Sequence, residues 1–262
     1  AIQSFWFTWL MVASGTTAGG RFDQFMYPFY QADKLAGRIT DQEVVELLAH
    51  LRVRIMQSNG IAGGKTQRDK WSGMAKWHNF VIGGVDRAGR DASNELSYLI
   101  LDAAKMCPTP HYTITLRVHA GTPDELLLRG LEVVKLGIGL PAFVNDDSYV
   151  AYFTGEGAAL EDARDYAIGG CLDGQLPGKS RTNATGMFVV PLVLEICMND
   201  GYCQRIGRKI GPHTGTFDTF ETFDDFMAAF KTQLQHFMAL AAEEHNILLQ
   251  AQADFFADPI HS

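Results

Sequence analysis

Cys171 is the side chain of this sequence best placed to carry out chemistry. It follows Gly169 and Gly170 and precedes Leu172, Asp173 and Gly174. Glycines on both sides permit a positive φ and a tight, finger-like turn that pushes one side chain out of a strand end. Asp173, two residues on, can put a carboxylate on the same finger. Sulfur would then handle a hydrogen atom or a covalent bond, and the carboxylate a proton. On these local features alone the plainer reading is a cysteine serving as a small buried hydrophobe. Lys179 and Arg181 follow in GQLPGKSRTN. Two cations beside the finger could bind a carboxylate or other anion, Arg181 in bidentate fashion, or they could pair with surface acids.

Other clusters point more to architecture than to chemistry. In GRFDQ (20–24) an arginine and an acid stand two residues apart, a pattern suited to pinning neighbouring loops. Asn145, Asp146 and Asp147 offer three adjacent oxygen donors but no glycine-bearing ligand loop, so a helix cap is expected and a metal is not. GIAGGKT (60–66) falls short of a phosphate-binding loop, which needs glycine at 59, where Asn59 stands. None of the eight histidines is paired at an i, i+4 ligand spacing.

The elements that must position Cys171 can be read from periodicity. Residues 1–14 are expected to form a buried helix. Thr40 and Glu43 make a capping-box signature ahead of Val44, Leu47, Leu48, Leu51 and Ile55 at helical spacing. The tract from Trp71 to Asp91 reads as irregular and glycine-rich, and the next helix carries Leu96, Leu99, Ile100 and Ala103 on one face. HYTITLRVH (111–119) reads as a strand turning Tyr112, Ile114, Leu116 and Val118 inward. Thr122, Pro123 and Glu125 open a helix with proline at its first position. A short strand at 141–144, a helix before Arg164, a strand at 166–170 and a long loop at 171–185 follow. Helices are then expected at about 186–200 and from Thr222 and Asp225 to about Leu249. The β-α-β-α-β series implies parallel strands, in an open sheet or a barrel, with chemistry at the strand ends. Cys171 begins the loop at such an end.

With 262 residues, 47% hydrophobic and 20% charged, the chain has an ordinary globular composition, enough for one large domain or two small ones; no linker is visible, and a single domain over 1–262 is expected. Its net charge of -8 disfavours nucleic acid or an anionic membrane surface as partner. Cys107, Cys171, Cys197 and Cys203 form no C-x-x-C pair, and a reducing, cytoplasmic setting is the simplest reading. The apolar start AIQSFWFTWLMVASG lacks a basic leader and falls short of the ~20 residues that span a bilayer. A chain that opens directly on such a helix suggests an interior segment of something longer.

Several stretches carry a resemblance that these patterns alone do not give. GRFDQFMYPFY (20–30), W-x-NF-x-IGG (77–84), NELSYLILDA (94–103), PAFVNDD (141–147), YAIGGC (166–171) and IGPHTGTFDTFETFDDFMAAF (210–230) resemble, in order and at comparable spacing, the glycyl radical enzymes of the pyruvate formate-lyase-like superfamily. The match looks closer to the glycerol dehydratase-like branch than to pyruvate formate-lyase itself, which carries two adjacent cysteines where this chain has Cys171 and Leu172. The resemblance implies an α/β fold, part of a ten-stranded barrel with the cysteine loop inside. It implies a radical on a glycine outside this chain, installed by a radical-SAM activating enzyme. That radical would pass to Cys171, whose thiyl would take a hydrogen atom from a small organic substrate. An anaerobic, cytoplasmic lyase, homodimeric at full length, is the expectation, without a metal or bound cofactor of its own, nucleic acid or membrane.

The sequence also departs from the family's pattern. Eliminating members commonly carry glutamate two residues after the cysteine, where Asp173 stands here. Diol and glycerol dehydratases carry a histidine shortly before the G-R-x-D-Q motif, where this chain offers Thr16. Asp173, Thr16, Lys179 and Arg181 are all compatible with enzymes that add a hydrocarbon to fumarate or decarboxylate an arylacetate. These readings stay open beside C–O, C–N, C–S or C–C cleavage. No R-V-x-G-like glycine loop occurs in the 262 residues. By analogy it is expected beyond Ser262; a chain without one would be a truncated, inactive relative.

Overall fold

A computed structural model describes residues 1–12, 18–58, 78–170, 172–179 and 188–255, and the chain divides into two compact units, residues 1–182 and 183–262. In the first unit α1 (Ile2–Val12) and β1 (Gly20–Arg21) are followed by α2 (Phe22–Phe25), α3 (Tyr27–Leu35) and α4 (Asp41–Ser58). Then come β2 (Asn79–Gly83), α5 (Glu95–Met106), β3 (Thr113–Val118), α6 (Asp124–Val134), β4 (Ala142–Asn145), α7 (Asp146–Gly155) and α8 (Leu160–Arg164). The unit closes with β5 (Ala167–Gly169) and β6 (Asp173–Gln175).

Strands β1 to β4 pair in chain order, all parallel. Helical crossovers make that pairing possible, because parallel neighbours cannot be joined by a tight turn. Two helix starts follow from sequence. Thr40 donates to Glu43 Oε2 through both its backbone N–H and its hydroxyl, at 2.8 Å each, and Glu43 N returns a bond to Thr40 Oγ1. Asn94 accepts from the N–H groups of Leu96 and Ser97, so α5 is capped as well. Pro123 lies at the N-cap of α6, one residue before the helical position expected for it.

Phe80, Ile82, Ile114 and Leu116 turn toward the helices and share one core with Leu48, Ile55, Ile100, Leu101 and Leu126. On the opposite face Val81 packs with Phe153, Tyr166 and Ile168 in a second cluster. This double coverage corrects the simple in-and-out reading of residues 111–119. Thr115 and Arg117 are as fully buried as Ile114 and Leu116. Strands covered on both faces lose the alternation that a half-exposed strand shows.

Three further expectations are corrected. The stretch from Trp71 to Asp91 holds β2, a central strand, because five consecutive residues are buried and leave no polar alternation to mark them. Helix α1 forms, but only one side is buried: Trp9 is 2% exposed while Met11 is 87% exposed. Strand β5 does not extend the parallel series by pairing with β4. It turns back on β6 as an antiparallel hairpin, so the expected loop at 171–185 contains a strand.

The second unit contains α9 (Val190–Met198), the antiparallel pair β7 (Tyr202–Cys203) and β8 (Arg208–Lys209), a 3₁₀ turn at Phe217–Thr219 and the long α10 (Phe223–Phe255). Thr222 and Asp225 cap α10 as their spacing implies, and the helix continues past Leu249. Asp200, at φ +53°, gathers the loops around the β-pair. Its carboxylate accepts from Lys209 Nζ at 2.8 Å, the N–H groups of Thr214 and Gly215 at 2.8 and 2.9 Å, and His213 Nδ1 at 2.6 Å. No helix among the described residues is long and apolar enough to cross a membrane.

Lys209 first, then Gly215, His213 and Thr214, hold the Asp200 carboxyl well below the ordinary carboxylate range. A depressed carboxylate stabilises above its unfolded pKa and ceases to do so as pH falls. Backbone exchange at Thr214 and Gly215, corrected for the intrinsic rate, should therefore speed up as pH drops below about 4. Asp200→Asn should raise that exchange already at neutral pH. Hydrogen exchange followed by NMR or mass spectrometry checks both outcomes.

Candidate active site

The hairpin β5–β6 is the finger on which Cys171 was expected. Ala167 faces Gln175, Ile168 faces Gly174, and Gly169 faces Asp173, leaving Gly170, Cys171 and Leu172 as the connecting residues. Position 171 lies outside the described residues, but both its neighbours are held. Gly170 sits at φ +52°, and its carbonyl accepts from the Asn79 side-chain amide of β2. Thr115 Oγ1 donates to Asn79 Oδ1 at 2.6 Å, which directs the Asn79 NH₂ toward Gly170. On the other side Tyr149, from α7, donates its hydroxyl to the Leu172 carbonyl at 2.9 Å.

The Tyr149 ring stacks on Tyr166 at 4.8 Å and 8°. Gly174 lies directly against it: a Cβ there would stand 2.9 Å from Tyr149 Cδ1. Asp173 is exposed, and its carboxylate turns back over Gly170, where an added Cβ would meet Oδ2 at 2.8 Å. Burial first, and the nearby negative charge of Asp173 second, push the Tyr149 phenol upward. Tyr149 therefore stays protonated, a donor to the Leu172 carbonyl, throughout the neutral range.

A buried ion pair anchors the base of the finger. Arg117 donates from Nε to Asp146 Oδ1 at 2.7 Å and from Nη2 to Asp146 Oδ2 at 3.0 Å, with both side chains at most 2% exposed. The same guanidinium donates to the Tyr166 carbonyl at 2.9 Å and the Arg164 carbonyl at 2.8 Å, and lies 3.8 Å from the Tyr166 ring centre. Asp146 also accepts from the Tyr166 hydroxyl at 2.8 Å and from Val85 N at 2.9 Å. Burial, in the presence of the Asp146 charge, drives the Tyr166 phenol far above its ordinary value.

The GRFDQ segment ties down the same region. Arg21 donates to Asp165 Oδ1 at 2.9 Å, one residue before the Tyr166 anchor, and to the Gly83 carbonyl at 3.2 Å. Asp23, fully buried, accepts from Gly83 N at 2.7 Å and from Ser97 Oγ at 2.5 Å. Burial raises the Asp23 carboxyl, and burial, with the Arg117 charge second, lowers the Arg21 guanidinium. Their contacts are those of pins between loops, the architectural role read for this motif.

The remaining expected residues divide. Lys179 places its ammonium on Asp162 of α8, an acid it shares with Arg87. Thr16 and Arg181 lie outside the described residues, as does the GIAGGKT tract. Asn145 caps α7 by accepting from Asp147 N and Ser148 N, the role expected for that acidic run. Among the described residues no group of three or more His, Cys, Asp or Glu side chains could hold a metal ion.

Residues 1–262 match the pyruvate formate lyase-like family. The chain belongs to that family. It is 32% identical to the isethionate sulfite-lyase of Desulfovibrio desulfuricans over 100% of this chain and 32% of that protein. It is 30% identical to the 4-hydroxyphenylacetate decarboxylase glycyl radical subunit of Clostridioides difficile over 93% of this chain and 29% of that one. The glycerol-bound structure of the B12-independent glycerol dehydratase from Clostridium butyricum superposes with a TM-score of 0.79 at 34% identity, covering 94% of this chain and 30% of the other. These likenesses place the chain in the glycerol dehydratase-like branch of the glycyl radical enzymes. It spans about a third of the length of such relatives.

Sequence reading singled out Cys171 and Asp173 but not Arg117, Tyr149 or Tyr166. Only Arg117 leaves a trace: an arginine at the end of an otherwise apolar and threonine-rich strand. Asp146→Asn would leave the Arg117 guanidinium buried without its counter-charge. It should lower unfolding free energy by about 3–5 kcal/mol, as denaturant titration would show.

Proposed function

We propose that the chain carries the hydrogen-abstracting cysteine of a glycyl radical lyase acting on a small organic substrate. The observation that carries the reading is the finger itself: a β-hairpin whose connecting residues include position 171, gripped on both flanks and bearing the Asp173 carboxylate. A hydrogen-atom carrier needs fixed distances, and rigid neighbours on both sides of the reacting residue supply them. The main helical core covers one face of the four-stranded sheet, and the finger, with Phe153 of α7 and Ala163 of α8, covers the other. That arrangement favours the finger's lying inside a ten-stranded α/β barrel, where water is scarce and a thiyl radical survives.

The radical would arrive from a glycine outside this chain, placed there by a radical-SAM activating enzyme. The Cys171 thiyl would remove a hydrogen atom from a substrate carbon, giving a thiol and a carbon-centred substrate radical. Asp173 would then give a proton to the departing group, or take one from the neighbouring hydroxyl, as the C–O, C–N, C–S or C–C bond breaks. The product radical would recover a hydrogen atom from the Cys171 thiol and regenerate the thiyl. Arg181 and Thr16 are the candidate contacts to the substrate. Lys179, held on Asp162, would contribute positive charge at the edge of the loop rather than a direct clamp. At full length the enzyme would be an anaerobic, cytoplasmic homodimer.

A second reading, arylacetate decarboxylation or addition to fumarate, is favoured by Asp173 in place of glutamate and by the likeness to a decarboxylase subunit. Neither requires a proton for a departing hydroxyl or amine. In the full-length protein, Cys171→Ala should abolish turnover while the glycyl radical still forms. Residual turnover above about 1% would remove Cys171 from its role. Asp173→Asn should cost on the order of 100-fold or more in kcat for an elimination and little for an addition. Parallel assays against diols, sulfonates, arylacetates and fumarate with a hydrocarbon separate the two.

A further inference from the structure

The two residues flanking position 171 are held from opposite sides by side chains that belong to different elements. Asn79 projects from β2 on the face away from the helical core, and its amide donates to the carbonyl of Gly170. Its rotation is fixed by the 2.6 Å bond from Thr115 Oγ1, the residue beside Val81 in the register of β2 and β3. Tyr149 comes from the second turn of α7, whose start is capped by Asn145. It donates at 2.9 Å to the carbonyl of Leu172. Its ring cannot swing away freely, because Tyr166 stacks on one part of it and Gly174 presses on another.

These contacts act on peptide planes rather than on side chains. The Gly170 carbonyl belongs to the peptide that leads into residue 171, and the Leu172 carbonyl lies one peptide beyond the one that leads out. Each bond fixes the peptide plane of one residue that flanks position 171, and the two act from opposite sides of the hairpin tip. We propose that Asn79 and Tyr149 are positioning residues that set the reach of the Cys171 thiol by clamping the carbonyls of Gly170 and Leu172. The proposal rests on the reading of Cys171 as the hydrogen-atom carrier, and it assigns neither residue any contact with substrate.

A test that needs no substrate follows from the chemistry of the exchange. In heavy water the Cys171 thiol carries deuterium. Transfer of that deuterium to the glycyl radical, Cα–H with one unpaired electron, gives a CαHD glycine and a Cys171 thiyl. The return step removes either H or D, so repeated transfers replace the glycyl hydrogen with deuterium. The electron paramagnetic resonance doublet then collapses toward a singlet at a rate that reports how well the thiol reaches the glycine. The experiment uses the activated full-length protein in D₂O without substrate, with the parent, Tyr149→Phe, Thr115→Val and Cys171→Ala compared at equal spin count.

Tyr149→Phe keeps the stacked ring and deletes only the donor, so its melting midpoint should stay near the parent's while exchange slows about 3- to 10-fold, the effect of one net hydrogen bond. Thr115→Val removes the hydroxyl that orients the Asn79 amide and should slow exchange to a similar degree. It also serves as the deciding variant should Tyr149→Phe lose its fold. A role confined to stability would shift melting and leave the exchange rate of the folded, radical-bearing enzyme at the parental value. Exchange at the parental rate in the folded donor-deleted enzyme, with Cys171→Ala blocking it, overturns the clamp and leaves the thiyl reading standing. Parental exchange in Cys171→Ala overturns the thiyl reading and the clamp with it.

Discussion

The bidentate pair between Arg117 and Asp146 is the interaction on which the rest of the site depends. Two charges removed from water cost more than their mutual attraction returns unless every remaining donor and acceptor is also matched. Here they are matched closely: Asp146 accepts four hydrogen bonds, two from Arg117 and one each from Tyr166 and Val85, while Arg117 adds two backbone carbonyls and an aromatic face. Those partners come from β3, the start of α7, the end of α8, the residue before β5 and the turn after β2. A single pair therefore decides where five segments meet. A hydrophobic replacement of similar volume could fill the space, but it could not choose among the carbonyls it touched.

The pair also explains the second glycine of the IGG stretch. A Cβ on Gly84 would stand 2.5 Å from Arg117 Nε, and the residue sits at φ +76°, so both the space and the backbone conformation require glycine. The turn after β2 is thus shaped around the guanidinium that crosses it. GRFDQ then ties the same turn down from the other side, with Asp23 on the Gly83 amide and Arg21 on the Gly83 carbonyl. Asp23 ends up fully buried with its carboxyl raised, a state tolerable because its amide and hydroxyl donors come from rigid elements.

The sheet works as a divider. Its helical side supplies apolar bulk from Phe80, Ile82, Ile114 and Leu116, which costs little to specify because many shapes fill such a layer. Its other side carries Asn79, Thr115 and Arg117 around the apolar Val81, and this fully buried, mostly polar row receives the finger. Apolar packing gives the unit its stability and the polar row gives it an address, since a misplaced finger would cost the Asn79 amide its bond to the Gly170 carbonyl and the Arg117 guanidinium its bond to the Tyr166 carbonyl. Position 171 inherits its place from that requirement.

Sequence alone determined what local chemistry determines. The Thr40–Glu43 and Thr222–Asp225 boxes start their helices where the spacing puts them, because the bonds involved span three residues. The Cys171–Asp173 finger, the pinning character of GRFDQ and the family itself were legible from residue types and motif order. The strand at 79–83 was not, because burial on both faces erases the polar alternation that marks a strand. Nor was the return of β5 on β6, which follows from pairing across only three residues rather than from any periodicity. Arg117, Asn79, Tyr149 and Tyr166 acquire their roles only when residues 23 to 91 positions apart meet. Tertiary structure decided those roles because a buried hydrogen bond depends on distance in space, and sequence spacing constrains that distance only within a turn or a helix.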